Sequence, residues 1–368
     1  MNTDKQLDYP IIDADAHVVE SEHTWDYLEP SEQKFRPLCL ETREDAGIKR
    51  EFWLIDGKVC GFRQPAFSRE ALEELARTTG RRYAVDRDAR EMANVALRLD
   101  YMDRNGVAVQ VLYNTIFIEQ ISQRPEVELA LYRCWNRWLA DIWRQSENRL
   151  RWACMVPTLS ITDAIEQIRF AKQNGGCAAL MRPVEGQRLL CDSYFYPIYE
   201  EASRLDMPIV VHIANGNPWL CSLYDHPFRL AGTFHRFRVP TVAAFNDVLL
   251  SEIHDVFPKL RWGFIEASAQ WLPWILREAK SRFRNLGREW TNNVPRQYNM
   301  FVTCENSDDV TYVARDAGAD CLVIGTDYGH TDPSSDINAI KIFRERDDVD
   351  ANVKRKILSD NARALYGL

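Results

Sequence analysis

The sequence has no C-x-x-C pair, no run of about 18 apolar residues and no G-x-G-x-x-G after any strand-like segment. Each absence removes a class of protein. Nine cysteines, an odd number at long spacings, give neither a disulfide framework nor a Cys-based zinc site. They read as small buried hydrophobes in a reducing, cytoplasmic protein. Without a long apolar run no helix spans a membrane, and the opening Met1-Asn2-Thr3-Asp4-Lys5-Gln6 has no apolar signal core. Without the glycine fingerprint, a dinucleotide-binding open sheet loses its main support. Positive charge is also scarce: 46 Lys and Arg against 54 Asp and Glu leave a net charge of −8. That balance argues against nonspecific nucleic-acid binding and against attraction to anionic membranes.

What is present is an ordinary globular mix, 46% hydrophobic and 27% charged, which excludes disorder. Short apolar segments recur with helical patterns between them. They fall at Tyr9 to Ala14, Val107 to Leu112, Trp152 to Val156, Cys177 to Met181, Pro208 to Val211, Leu260 to Ile265, Met300 to Thr303 and Cys321 to Ile324. Between the second and third of these, Val127, Leu131, Trp135, Trp138 and Ile142 mark a long amphipathic helix. Eight strand–helix units predict a (β/α)8 TIM barrel spanning residues 1–368, with a doubly wound open sheet as the alternative. Residues 20–90 break the rhythm and read as a small insertion subdomain after strand one. It carries a β-ribbon turning at Asp56-Gly57 and a helix from Glu70 to Thr79 closed by Gly80.

A barrel places its chemistry at the carboxyl ends of its strands. Strand one ends in Asp13-Ala14-Asp15-Ala16-His17-Val18-Val19-Glu20, and alternation puts Asp13, Asp15 and His17 on one side. Strand four leads to Arg182, strand five to His212, strand six to Glu266, strand seven to Glu305, and strand eight to Asp327 and His330. Histidines and carboxylates gathered at strand ends are a metal-ligand set. Tyr113, Trp219 and Tyr224 follow strands and are candidates to line an apolar pocket, and His235 is a candidate substrate contact. His23, His226 and His254 read as structural.

Four pieces of the chain carry a resemblance: Asp13-Ala14-Asp15-Ala16-His17, Val210-Val211-His212, Phe257-Pro258-Lys259-Leu260-Arg261 and Gly325-Thr326-Asp327-Tyr328-Gly329-His330. Together they resemble the amidohydrolase superfamily, in the branch with aminocarboxymuconate semialdehyde decarboxylase and related aromatic-acid decarboxylases. The resemblance implies a metal held by Asp15, His17, His212 and Asp327, with Asp327 also handling the proton of a bound water. The sequence departs from the family twice. Asp15 stands where a His is common, and Glu266 stands where many members have a catalytic His. Both changes replace nitrogen by oxygen and favour Fe or Mn over Zn. Arg182 replaces the lysine that bridges metals in two-metal members, and a guanidinium there suits a substrate carboxylate. His330 matches the family's His shortly after the strand-eight Asp.

The expected function is a metal-dependent hydrolase or non-oxidative decarboxylase acting on a small cyclic or aromatic carboxylic acid. Asp327 and Glu266 move protons, Arg182 anchors the acid, and one divalent ion or two do the polarising. The alternative is a dinuclear non-haem iron monooxygenase, in which Glu20, Glu266 and Glu305 join the other ligands around two metals. Specificity is expected from the 20–90 insertion and from the segment between Ile213 and Pro240. A homodimer is the expected assembly.

Overall fold

The computed structural model describes residues 8–43, 49–63, 69–84, 86–224 and 234–368. Eight strands form one parallel sheet in chain order: β1 (Ile11–His17), β2 (Val107–Tyr113), β3 (Leu150–Met155), β4 (Gly176–Met181), β5 (Ile209–His212), β6 (Trp262–Ile265), β7 (Met300–Cys304) and β8 (Leu322–Ile324). All eight sit where the apolar segments predict them. Most of their residues are buried, so they lack the in–out alternation of a half-exposed sheet. Helices fill the intervals. The longest, Pro125–Arg144, opens with proline in its first turn, where the missing N–H costs nothing. It buries Val127, Leu131, Trp135, Trp138 and Ile142 against the sheet.

The sheet closes on itself just beyond β8. Ala16 bridges Tyr328 in parallel, His17 N donates to Tyr328 O at 2.7 Å, and the Asp15 carbonyl accepts from Thr326 N at 3.0 Å and Asp327 N at 2.9 Å. The result is the (β/α)8 barrel that the strand–helix rhythm predicts, not the open sheet. Asp13 locks this seam. Its carboxylate accepts from Gln110 Nε2 of β2 (2.8 Å) and from Thr326 N (2.9 Å) and Oγ1 (2.6 Å). Arg98 braces it from outside, donating to Gln110 Oε1 at 3.2 Å and to the His17 carbonyl at 2.8 Å.

The 20–90 stretch contains the predicted ribbon, Lys49–Ile55 paired antiparallel with Lys58–Arg63, and the turn at Asp56-Gly57 has positive φ at both residues. A third strand, Leu38–Arg43, joins the ribbon, and two short 3-10 helices, Glu22–Tyr27 and Pro30–Phe35, precede it. Sequence periodicity is too weak there to foretell them. The helix expected to end this stretch runs over Arg69–Thr79, and Gly80 follows it at φ +74°. Elsewhere two helices, Val239–Leu250 and Ile253–Val256, are separated at Ser251. The described cysteines are all free, six buried and three half-buried, and no described helix is long and apolar enough to cross a membrane.

Gly325 is where β8 approaches β1. A β-carbon there would lie 2.2 Å from Asp15 Cβ and 2.8 Å from its Cα and N. Most of the obstacle is backbone and cannot swing aside. Gly325→Ala should therefore destabilise the barrel by about 3 kcal/mol, the upper end of ordinary overpacking. Denaturant midpoints would measure it; a change within about 0.5 kcal/mol would mean the seam yields.

Candidate metal centre

Six side chains converge at the carboxyl ends of the strands. Asp15 and His17 come from β1, and His212 is the last residue of β5. Glu266 follows β6 directly, while Asp327 and His330 lie on the loop after β8. All six are buried. Two of them hold strained backbone: Glu266 has φ +64° and Asp327 φ +48°, in the left-handed region that side chains with a Cβ seldom occupy. Both carboxylates reach the cluster from these turns.

The atoms that face one another are acceptors or potential lone pairs. His17 Nε2 lies 3.5 Å from Asp15 Oδ1, 3.6 Å from Glu266 Oε2 and 3.4 Å from Asp327 Oδ1. His212 Nε2 lies 3.5 Å from Asp15 Oδ1 and 3.0 Å from Glu266 Oε2, and His330 Nδ1 lies 2.8 Å from Asp327 Oδ1. Yet Asp15 Oδ1, His17 Nε2, His212 Nε2, Glu266 Oε2, both oxygens of Asp327 and His330 Nδ1 make no hydrogen bond among the described residues. Seven buried polar atoms without a partner at one spot would be a large penalty in a finished core. Donors about 2.1 Å from a shared ion lie about 3.0–3.4 Å apart, close to the separations observed. They fall into two overlapping groups, Asp15/His17/His212/Glu266 and His17/Glu266/Asp327/His330, each with its ligand atoms within 4.8 Å of one another. The residues present fit a divalent cation.

The histidines are set for this task. His17 Nδ1 is 2.7 Å from the Asn114 carbonyl and His212 Nδ1 is 3.3 Å from the Ile213 carbonyl. A carbonyl only accepts, so each Nδ1 carries the hydrogen and each Nε2 lone pair faces the cluster. Electrostatics repeat the demand for positive charge. Burial opposes charge on His212 and His17, and Glu266 and Asp15 outweigh it, raising both imidazoles above their ordinary value. Burial pushes the Asp15 carboxyl up, but the facing imidazoles of His17 and His212 hold it well below the usual carboxylate range. Asp327 goes the other way: burial, then the charges of Asp332 and Glu266, push it well above.

Other sequence-predicted residues stand outside the cluster. Glu20 is buried, but its oxygens accept from Thr115 N (3.1 Å), Ile116 N (3.2 Å) and Trp135 Nε1 (3.0 Å). Glu305 is paired with Arg238 at 2.9 Å and accepts from Ser307 Oγ at 3.1 Å. Burial raises both carboxyls to about 7. The Arg182 guanidinium is closed on Glu185, by Nε at 3.0 Å and Nη2 at 2.5 Å, and Nη1 donates to Tyr132 OH at 2.7 Å. Beside it, a cavity of about 10 Å3, the room of one water, reaches His212 and is walled by Phe117, Met155, Leu180 and Met181. The Tyr113 ring packs 5.1 Å from His212, and its hydroxyl is spent on Tyr366 OH at 2.6 Å. Trp219 is 68% exposed, and His235 is exposed and stacked on Tyr224. His23 is exposed, His254 is buried against Tyr298, and His226 lies outside the described residues.

Sequence reading missed three supports. Ser334 Oγ lies 2.7 Å from both Glu266 Oε1 and Asp332 Oδ1, and Asp332 Oδ2 lies 3.6 Å from His330 Nδ1. Thr115 Oγ1 lies 2.9 Å from His330 Nε2. Asp332, two residues past His330, was the one legible signal; Ser334 and Thr115 are unremarkable loop residues until the chain folds.

A parallel eight-stranded barrel with buried His and carboxylate groups at its carboxyl end that could hold a metal ion defines a class, the (β/α)8 barrel with a rim site. Within it, the chain belongs to the amidohydrolase family, whose model, described as Amidohydrolase, matches residues 12–368. No curated protein sequence matches it. Among solved structures, an amidohydrolase from Mycobacterium avium subsp. paratuberculosis is similar at a TM-score of 0.75 and 18% identity, over 98% of this chain and 99% of the other. The 5-carboxyvanillate decarboxylase of Novosphingobium aromaticivorans, with bound manganese, gives 0.68 and 17%, over 100% of each chain. A 2,6-dihydroxybenzoate decarboxylase from Rhizobium gives 0.60 and 22%, over 73% of this chain and 87% of the other. At these identities the likeness is one of fold.

The raised histidines set a sign for pH. In the cation-free protein their contribution to stability is full below about pH 6.5, the unfolded value, and is lost as pH rises through their higher folded values. A bound cation must displace those protons, so affinity for Mn2+ should rise from about pH 6 to about pH 8 with proton release. Calorimetry in two buffers of different ionisation enthalpy checks this; binding heat independent of the buffer would contradict it.

Proposed function

We propose that the protein is a divalent-metal-dependent enzyme that removes the carboxyl group of a small cyclic or aromatic acid without an oxidant. The observation that carries the metal is the set of seven buried atoms without hydrogen-bond partners. Asp15, His17, His212, Glu266 and Asp327 would hold it. The two donor groups share His17 and Glu266, and His17 has one nitrogen to give, so one ion is the simpler occupancy. Three carboxylates among the donors favour Mn or Fe over Zn. Bound there, such an ion polarises substrate oxygens and stabilises developing negative charge.

The choice of decarboxylation leans on relatives whose names declare it, one of them with manganese bound. In that reaction the carbon–carbon bond to the carboxylate breaks, CO2 leaves, and a proton takes its place on the ring carbon. Asp327 suits the proton transfer because it has two partner-free oxygens, one for the ion and one for the proton. Its place in a buried, negatively charged setting strengthens its hold on that proton. Arg182, expected to anchor the substrate acid, has its guanidinium taken up by Glu185 and Tyr132, so in this reading the acid meets the metal centre directly.

Hydrolysis is the second reading, favoured by the family's description. The same free oxygen of Asp327 would take a proton from an attacking water. The dinuclear oxygenase finds no support among the relatives, and two carboxylates it called on, Glu20 and Glu305, are engaged elsewhere.

The test is a panel of hydroxylated and methoxylated benzoates with the manganese-loaded protein in deuterated water. Decarboxylation predicts CO2 release, one deuteron on the carbon that lost the carboxyl, and no oxygen uptake. His17→Ala should abolish both bound manganese and turnover. Cleavage of esters or lactones without CO2 would transfer the assignment to hydrolysis, and substrate-dependent oxygen uptake would overturn it.

A further inference from the structure

The third histidine of the cluster is oriented differently from the other two. His17 and His212 are held by backbone carbonyls, whereas the partner of His330 is a side chain, the hydroxyl of Thr115, with Oγ1 2.9 Å from Nε2. Taken alone, that contact leaves the tautomer open, because a hydroxyl can donate or accept. A second contact decides it. The same Oγ1 lies 2.8 Å from the Val18 carbonyl, which only accepts. The hydroxyl has one hydrogen, and that hydrogen goes to Val18. His330 must then be the donor at Nε2, so its Nδ1 is left with a lone pair.

That lone pair lies 2.8 Å from Asp327 Oδ1, the shortest nitrogen–oxygen separation in the cluster, yet the contact lacks the alignment of a hydrogen bond. Converging ligands of a shared ion have this arrangement: close together, with each lone pair aimed at a third point and not at its neighbour. The His330 ring also lies flat against His17, 3.8 Å between centroids at 27°. Two protonated imidazoles would repel at that distance, while two ligands of one cation stack without that penalty.

We infer that Thr115 is a positioning residue of this centre: its hydroxyl fixes His330 as the Nε2–H tautomer and so makes Nδ1 a third imidazole ligand. The inference rests on the reading that the cluster holds a divalent cation, and it goes beyond the set Asp15, His17, His212, Glu266 and Asp327. It also gives the loop after β2 a part in the centre. Glu20 holds the amides of Thr115 and Ile116, and Thr115 in turn ties that loop to Val18 and His330.

The experiment loads protein carrying 15N-labelled histidine with Mn2+ and counts coupled nitrogens by pulsed electron paramagnetic resonance. Three are expected in the native protein and two in His330→Gln. Thr115→Val, which keeps the shape and removes the hydroxyl, should weaken Mn2+ binding about tenfold, in the range for loss of a partner that orients a metal ligand. Thr115→Ser should restore it. Two coupled nitrogens in the native protein would overturn the inference while leaving the cation reading intact. Absence of Mn2+ binding by the native protein would overturn both. The native count needs no variant, so it decides even if Thr115→Val does not fold.

Discussion

The structure turns on an imbalance of charge that the fold maintains deliberately. Three carboxylates and three imidazole nitrogens face one another with no hydrogen bond among seven of their atoms. Two like charges 4 Å apart repel by about 4 kcal/mol at an effective dielectric of 20. A cluster of this kind persists only if something positive enters it or the surrounding fold forbids relaxation. Both apply: the facing carboxylates raise the histidines, which then hold protons in place of a cation, and Glu266 and Asp327 are placed by left-handed turns at the strand ends. Strain of about 1–3 kcal/mol per residue is a known companion of such sites.

What prevents relaxation is the seam of the barrel. Where the chain leaving β8 passes β1, Asp15 packs against Gly325 without room for a β-carbon. Asp13 ties the same seam from below through Thr326 and Gln110. Its carboxyl is raised to about 6, with burial as the main cause. Near neutral pH that group is mostly ionised, and its four hydrogen bonds, including a long one from Asp15 N at 3.4 Å, are charge-assisted. One alternating run, Asp13, Asp15 and His17, therefore divides its labour: the first closes the barrel and the other two face the ion.

The legible part of the sequence was whatever a regular strand dictates. Burial on both faces made each barrel strand a short apolar run, so all eight could be read, and a residue at the end of a barrel strand points to the same rim. That is why Asp15, His17, His212 and Glu266 could be named from spacing. Asp327 and His330 lie on the turn just beyond β8; strand-end position points to Asp327 as well, and the family likeness adds His330 to it. Spacing does not reveal a side chain whose direction depends on a distant partner. Glu305 sits at a strand end like Glu266, but Arg238, from the helical segment before β6, draws it away. The place of Arg182 after β4 suits an external carboxylate, yet Glu185 three residues on fills its fork. Local sequence records neither outcome, because both depend on which side chain reaches the group first.

Glu20 illustrates the same limit and its consequence. A buried carboxylate near the end of β1 looks like a ligand, and in chemical terms it has the oxygens to be one. Its three donors, two loop amides and the indole of Trp135, satisfy those oxygens before any ion could. The carboxylate thereby shapes the turn after β2, the turn that carries Asn114 and Thr115 to the backs of His17 and His330. Removing charge from Glu20 would loosen that turn, and with it the two contacts that decide which nitrogen of each ring faces inward. A carboxylate can thus belong to a metal centre without touching metal, by holding the segment that holds the ligands.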